Sequence, residues 1–112
     1  MIKIMKKALI VITLIVGFNT LYAGGGHSHA PVAVSETTIK TIAKNEINRL
    51  AKVEKIDKSW LNKDISKLEK LDPVYEWRVI FKNDKIADTK QQTLYVFVSN
   101  AGRLVAVNYT GK

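Results

Sequence analysis

Tyr75-Glu76-Trp77-Arg78-Val79-Ile80-Phe81-Lys82 carries the clearest structural signal in the chain. Its apolar residues return every second position, so Tyr75, Trp77, Val79 and Phe81 point one way and Glu76, Arg78, Ile80 and Lys82 the other, as in a half-buried strand. A polar stretch from Asn83 to Gln92 leads to Thr93-Leu94-Tyr95-Val96-Phe97-Val98. That run is β-branched and aromatic on both faces, which places it at the centre of a sheet. Asn100-Ala101-Gly102-Arg103 then supplies a short turn with glycine available for positive φ, and Leu104 to Tyr109 alternates again, so the last two strands form a hairpin.

Upstream of Asp72-Pro73 the pattern is different. Ile65, Leu68 and Leu71 have a spacing that suits a helix, while Lys67 and Lys70 suit a protected edge strand, and we read the segment as a strand. Residues 55–63 form a connector in which Ile56 and Trp60, four apart, can make one helical turn over the end of the core. Before it, Ile39, Ile42, Ala43, Ile47, Leu50 and Ala51 recur at helical spacing, with Lys40, Lys44, Glu46, Asn48 and Lys52 between them. Ser35 can cap the first amides and Glu36 lies in the positive first turn, so an amphipathic helix is expected from about Glu36 to Val53. Helix first and strands afterwards predict an α+β fold: one amphipathic helix packed on a three- to four-stranded antiparallel sheet.

The amino end reads as an address. Lys3, Lys6 and Lys7 precede an uncharged run from Ala8 to Phe18, and Ala23 stands where a signal peptidase would cut, just before Gly24-Gly25-Gly26. The run falls short of the roughly 20 apolar residues that a spanning helix requires. The expected organisation is a signal peptide over 1–23, a disordered histidine-containing leader over 24–34 and one domain over 35–112. The expected location is periplasmic or secreted, with no stable membrane insertion after cleavage. Cleavage removes three lysines and no acid, leaving a net +5 of the chain's +8. Those charges alternate in sign along the chain, as on solvated faces, and nucleic acid is not an expected partner. With no cysteine, the fold rests on packing alone and no lipid anchor can be attached at the cleavage site.

Gly24 to His29 (Gly-Gly-Gly-His-Ser-His), Ile56 to Trp60 (Ile-Asp-Lys-Ser-Trp), Glu76-Trp77, Thr93 to Phe97 and Asn108 to Gly111 together resemble a small family of uncharacterised bacterial periplasmic proteins with PepSY-like character. The resemblance implies a helix followed by an antiparallel sheet. PepSY-like domains are associated with exported proteins, with propeptides that restrain or chaperone a protease, and with regulation at the cell envelope. No catalytic residue carries over from the resemblance.

His27 and His29 are the only histidines, and an extended chain places them on one side, where imidazoles suit copper, nickel or zinc. Cleavage after Ala23 makes His27 the fourth residue; loss of one more would make it third, the position that completes a square-planar chelate with the new amine. Tyr75, Trp77, Tyr95 and Phe97 are the candidate interface, flat aromatic surface that a partner could cover. The two-sided character of β-forming residues 94–98 also raises homodimerisation through a sheet face. With no cysteine nucleophile and no glycine-rich phosphate loop, an enzyme is not expected. Asp57, Asp64, Glu69, Asp72 and Glu76 are interleaved with lysines and read as solvated surface. The expected function is a non-enzymatic exported binding module for an envelope protein or peptide. The alternative is a metal-handling protein that uses His27 and His29.

Overall fold

The computed structural model describes residues 32–112. Its elements are a helix α1 (Glu36–Lys52), a 3₁₀ turn at Lys58–Trp60, strand β1 (Ile65–Leu71), strand β2 (Glu76–Lys82), a second 3₁₀ turn at Thr89–Gln91, strand β3 (Thr93–Ser99) and strand β4 (Leu104–Asn108). The strands form one antiparallel meander in the order β1-β2-β3-β4, with α1 packed across β2 and β3. This is the α+β architecture that the sequence predicts, with four strands. Residues 1–23, where a signal peptide is expected, and most of the expected leader, His27 and His29 included, lie outside the described residues.

The helix begins where Ser35 Oγ accepts the Thr38 amide at 3.1 Å and ends by a recognisable device. Val53, the residue after Lys52, is its C-cap. Glu54 adopts a φ of +62°, its amide donates to the Ala51 carbonyl, and the Lys55 amide donates to the Leu50 carbonyl. These two bonds satisfy carbonyls that the last turn would otherwise leave open. The buried face comprises Ile39, Ala43, Glu46, Ile47, Leu50 and Ala51, so Glu46 belongs to it and not, as the sequence suggests, to the polar flank. Its position three after Ala43 and seven after Ile39 is the reason. Arg49 neutralises the carboxylate in place, with Nε at 2.9 Å from Oε1 and Nη2 at 2.7 Å from Oε2.

Under α1 the inward side of the sheet contributes Trp77, Val79, Phe81, Leu94, Val96, Val98 and Val107, all buried. The register explains the set: Trp77 faces Val98, Val79 faces Val96 and Phe81 faces Leu94. Ile56 and Trp60 close the end of this core, and the 3₁₀ turn that delivers Trp60 is capped by Asp57, whose carboxylate accepts the Ser59 amide. Burying a side chain of that size contributes on the order of 3 kcal/mol, which accounts for order in a segment with little periodicity of its own.

The outward side is apolar as well: Ile80 and Phe97 are only 8% and 7% exposed, although both point away from the helix. The chain's last residues return to this side of the sheet, over Tyr95. Asn108 Oδ1 accepts the amides of Thr110 and Gly111, turning the chain back over the sheet. Gly111, at a φ of +78°, lies so close to the Tyr95 ring that a Cβ there would stand 2.9 Å from Cε2. Arg78 Nη1 then donates to the Gly111 carbonyl at 3.0 Å.

Candidate functional site

The four aromatic residues singled out in the sequence do not share a surface. Trp77 is in the core under α1, where Lys70 sits 5.4 Å from its ring centre and its Nε1 donates to Asn100 Oδ1 at 3.1 Å. Tyr95 and Phe97 are on the opposite side of the sheet, Tyr95 beneath Gly111 and Phe97 across from Arg78 and Ala106. Tyr75 is different from all three. Strict alternation would send it inward beside Trp77, but it precedes β2 in the turn after the cis Asp72–Pro73 peptide, with a φ of +57° and 68% exposure. Val74 beside it is 56% exposed.

The conformation of Tyr75 is held from across the sheet. Asn100 lies in the β3–β4 turn, at the same end as the β1–β2 turn, and its amide donates to the Tyr75 carbonyl at 2.8 Å. Its side chain accepts from Trp77, and its own carbonyl accepts the Val34 amide at 3.0 Å. One asparagine therefore fixes both turns and the entry to α1, and it pins Val34, which the sequence assigns to a disordered leader. The left-handed region is sparsely populated by bulky residues and costs an L-residue about 1–2 kcal/mol. The result is an aromatic ring and a valine projecting from a turn whose backbone is anchored behind them.

The remaining polar groups hold other turns. Asn83 is buried at 1% exposure and fully engaged: its amide donates to the Gln92 carbonyl, its Nδ2 to Ser59 Oγ, and its Oδ1 accepts the Lys85 amide. On the outward side Arg78 Nε donates to Glu69 Oε1 at 2.7 Å, and Lys67 Nζ approaches Glu69 Oε2 at 3.2 Å. The Arg78 hydrogen bond holds the Glu69 carboxyl below the usual carboxylate range. Hydrogen bonds from Ser59 do the same for Asp57. Burial, with the Asp57 charge adding to it, raises the Tyr109 hydroxyl above the usual phenol value. Of the five carboxylates read as surface, Asp57, Asp64 and Asp72 are exposed, while Glu69 and Glu76 are half-buried on strands.

Among the described residues no group of three or more histidine, cysteine, aspartate or glutamate side chains is gathered as a metal ion would require. Nor is any helix among them long and apolar enough to cross a membrane. The sequence reading missed Asn83, Asn100 and Val74; only the Asn-Ala-Gly turn signal at Asn100 could have pointed to one of them.

Fold and site together define a class: a one-helix, four-strand α+β domain whose asparagines secure its turns while one turn presents Val74 and Tyr75 to solvent. The chain belongs to the family described as "Family of unknown function (DUF6488)", which matches residues 1–112. No curated protein and no solved structure matches it.

Proposed function

We propose that the protein is a non-enzymatic, exported binding module of the bacterial cell envelope that engages a protein or peptide partner through the Val74–Tyr75 turn. The observation that carries this reading is Tyr75 itself, an exposed aromatic residue in a costly backbone conformation, anchored through its carbonyl to Asn100. Strain retained at an exposed position suits a role outside the fold, and a tyrosine on a rigid support is a favoured interface anchor because little side-chain freedom is lost when it binds. The signal-like amino end of residues 1–23 supports export. The order of one helix followed by a meander supports PepSY-like character, and with it a place among exported regulators or restraints of other proteins. The polar side chains described above are engaged in holding turns and strands, which favours a binding role over catalysis.

The test is site-specific photo-cross-linking in the producing cells, with a photoreactive residue at Val74 and, as a control, at Lys40 on the exposed side of α1. A discrete adduct from position 74 that disappears when Tyr75 is changed to glycine supports the reading. No adduct, or the same adduct from both positions, refutes it.

The second reading, periplasmic handling of copper, nickel or zinc, rests on one feature of the sequence: both histidines of the chain stand together at His27 and His29. A copper(II) titration followed by visible absorption tests it. Tight binding that a His27→Ala/His29→Ala variant loses supports the reading, and equal, weak binding by both proteins removes it.

A further inference from the structure

The charges that alternate along the chain separate in space once it folds. Lys40, Thr41, Lys44, Asn45, Asn48 and Lys52 fall within one arc of about 140° on α1, with Lys40 and Lys52 about 18 Å apart along its axis. The connector adds a fourth lysine to this stripe: the Asn62 amide donates to Asn48 Oδ1 at 2.8 Å, which brings Lys63 beside it. Lys40 and Lys52 are exposed, while Lys44 and Lys63 are half-buried. Among the described residues none of the four lysines is in an ion pair. Of the nearby carboxylates, Glu46 is buried and taken by Arg49, and Glu54 is met by Lys58 at 4.0 Å. Glu36, in the first turn of α1, and Asp64, next to Lys63, are the other two. On the outward side of the sheet, by contrast, Lys67 and Arg78 share Glu69.

We infer that this lysine stripe seats the protein on an anionic phospholipid bilayer. Charge complementarity supplies the attraction, and the choice of a lipid surface follows from what the stripe lacks. None of its side chains is aromatic or wholly apolar, whereas a shaped protein interface is anchored by such groups. Lysines are point charges on flexible stems, suited to a dense, unshaped array of phosphates. The half-burial of Lys44 and Lys63 lowers the freedom they lose on contact. Each lysine held close to an anionic bilayer is worth about fivefold in affinity, so four together give reversible attachment without insertion. The stripe runs away from the end where α1 begins, which is the end that Asn100 ties to the Tyr75 turn. The inference therefore goes beyond the proposed function: it puts the module at the bilayer with Tyr75 still free to meet a partner.

The experiment is vesicle co-sedimentation with the protein purified as the producing cells process it. Vesicles of phosphatidylglycerol and phosphatidylethanolamine in equal parts should bind it, and vesicles of phosphatidylcholine should not. Raising the salt from about 0.05 M to about 0.5 M should release it, which an inserted apolar segment would not allow. A Lys40→Gln/Lys44→Gln/Lys52→Gln/Lys63→Gln variant should bind at least about fiftyfold more weakly. A Lys67→Gln/Lys82→Gln/Lys85→Gln/Lys90→Gln variant loses the same charge from the sheet and the β2–β3 connection, and should keep most of its affinity. Circular dichroism establishes that both are folded; should the first fail to fold, Lys40→Gln/Lys44→Gln alone should weaken binding by about twentyfold. Absence of binding, equal binding to both kinds of vesicle, equal losses from the two variants, or binding of poly-glutamate as tight as that of the anionic vesicles overturns the inference. Because no readout involves Tyr75, failure here leaves the proposed function standing, and the reverse also holds.

Discussion

Replacing Gly111 with alanine tests whether the last residues are part of the fold. The new methyl group would stand 2.9, 3.0 and 3.1 Å from three atoms of the Tyr95 ring. Tyr95 belongs to central β3, between β2 and β4, and its ring is half-buried. A φ of +78° adds about 1–2 kcal/mol of strain for any L-residue. The tail can escape both penalties by lifting, but it then forfeits the Arg78 bond to the Gly111 carbonyl and its packing on Tyr95. A charge-assisted hydrogen bond of this kind contributes about 1.5 kcal/mol at the low end, appropriate to a partly exposed guanidinium. The smaller of the two routes sets the result, so we expect a loss of about 2 kcal/mol, seen as a lower urea midpoint and a melting temperature lower by about 4–8 °C for each kcal/mol. Amide exchange at Thr110, Gly111 and Lys112 should accelerate, while α1 keeps its protection. A loss below about 0.5 kcal/mol with unchanged exchange in the tail would refute the packing of Gly111 on Tyr95.

Three further outcomes follow from the hydrogen bonds. Asn83→Ala leaves the Lys85 amide and Ser59 hydroxyl without their partner and should cost about 1–3 kcal/mol by urea denaturation. Glu54→Gly should stabilise the protein by up to about 1 kcal/mol, since Glu54 occupies the left-handed position that ends α1; a decrease in the urea midpoint would contradict that account. The carboxyls of Glu69 and Asp57 titrate lower in the folded protein than in the unfolded chain, so their contribution is present above the unfolded value of about 4 and is lost as pH falls through the folded values. A Glu69→Gln variant should therefore show a smaller drop in melting temperature as pH is lowered from neutral into the acid range.

What could be read from the sequence was whatever repeats. The helix stripe, the alternation of β2 and the double-sided run of β3 each have a period, and the helix, hairpin and central strand lie where those periods predict. Single positions escaped. Glu46 obeys the apolar spacing, but its charge disguises it until Arg49 is seen beside it. Tyr75 continues the alternation on paper, yet the turn before β2 rotates it out of the strand. Val34 is tied down by Asn100, a residue 66 positions away in the numbering, and such contacts leave no local trace. The return of the tail over Tyr95 has as its only sequence signal Asn108 with Gly111 three residues on. Of the four aromatic residues singled out in the sequence only Tyr75 is largely exposed, because exposure depends on the turn and not on residue type.

The central claim is that Tyr75 serves a partner and not the fold, and urea denaturation of a Tyr75→Gly variant tests it most directly. Glycine relieves about 1–2 kcal/mol of left-handed strain and gives back about 0.5–1 kcal/mol as chain entropy. The account predicts a variant as stable as the parent, or more stable by up to about 1 kcal/mol. A loss of more than about 1 kcal/mol would show that the Tyr75 ring supports the structure, and would contradict the claim.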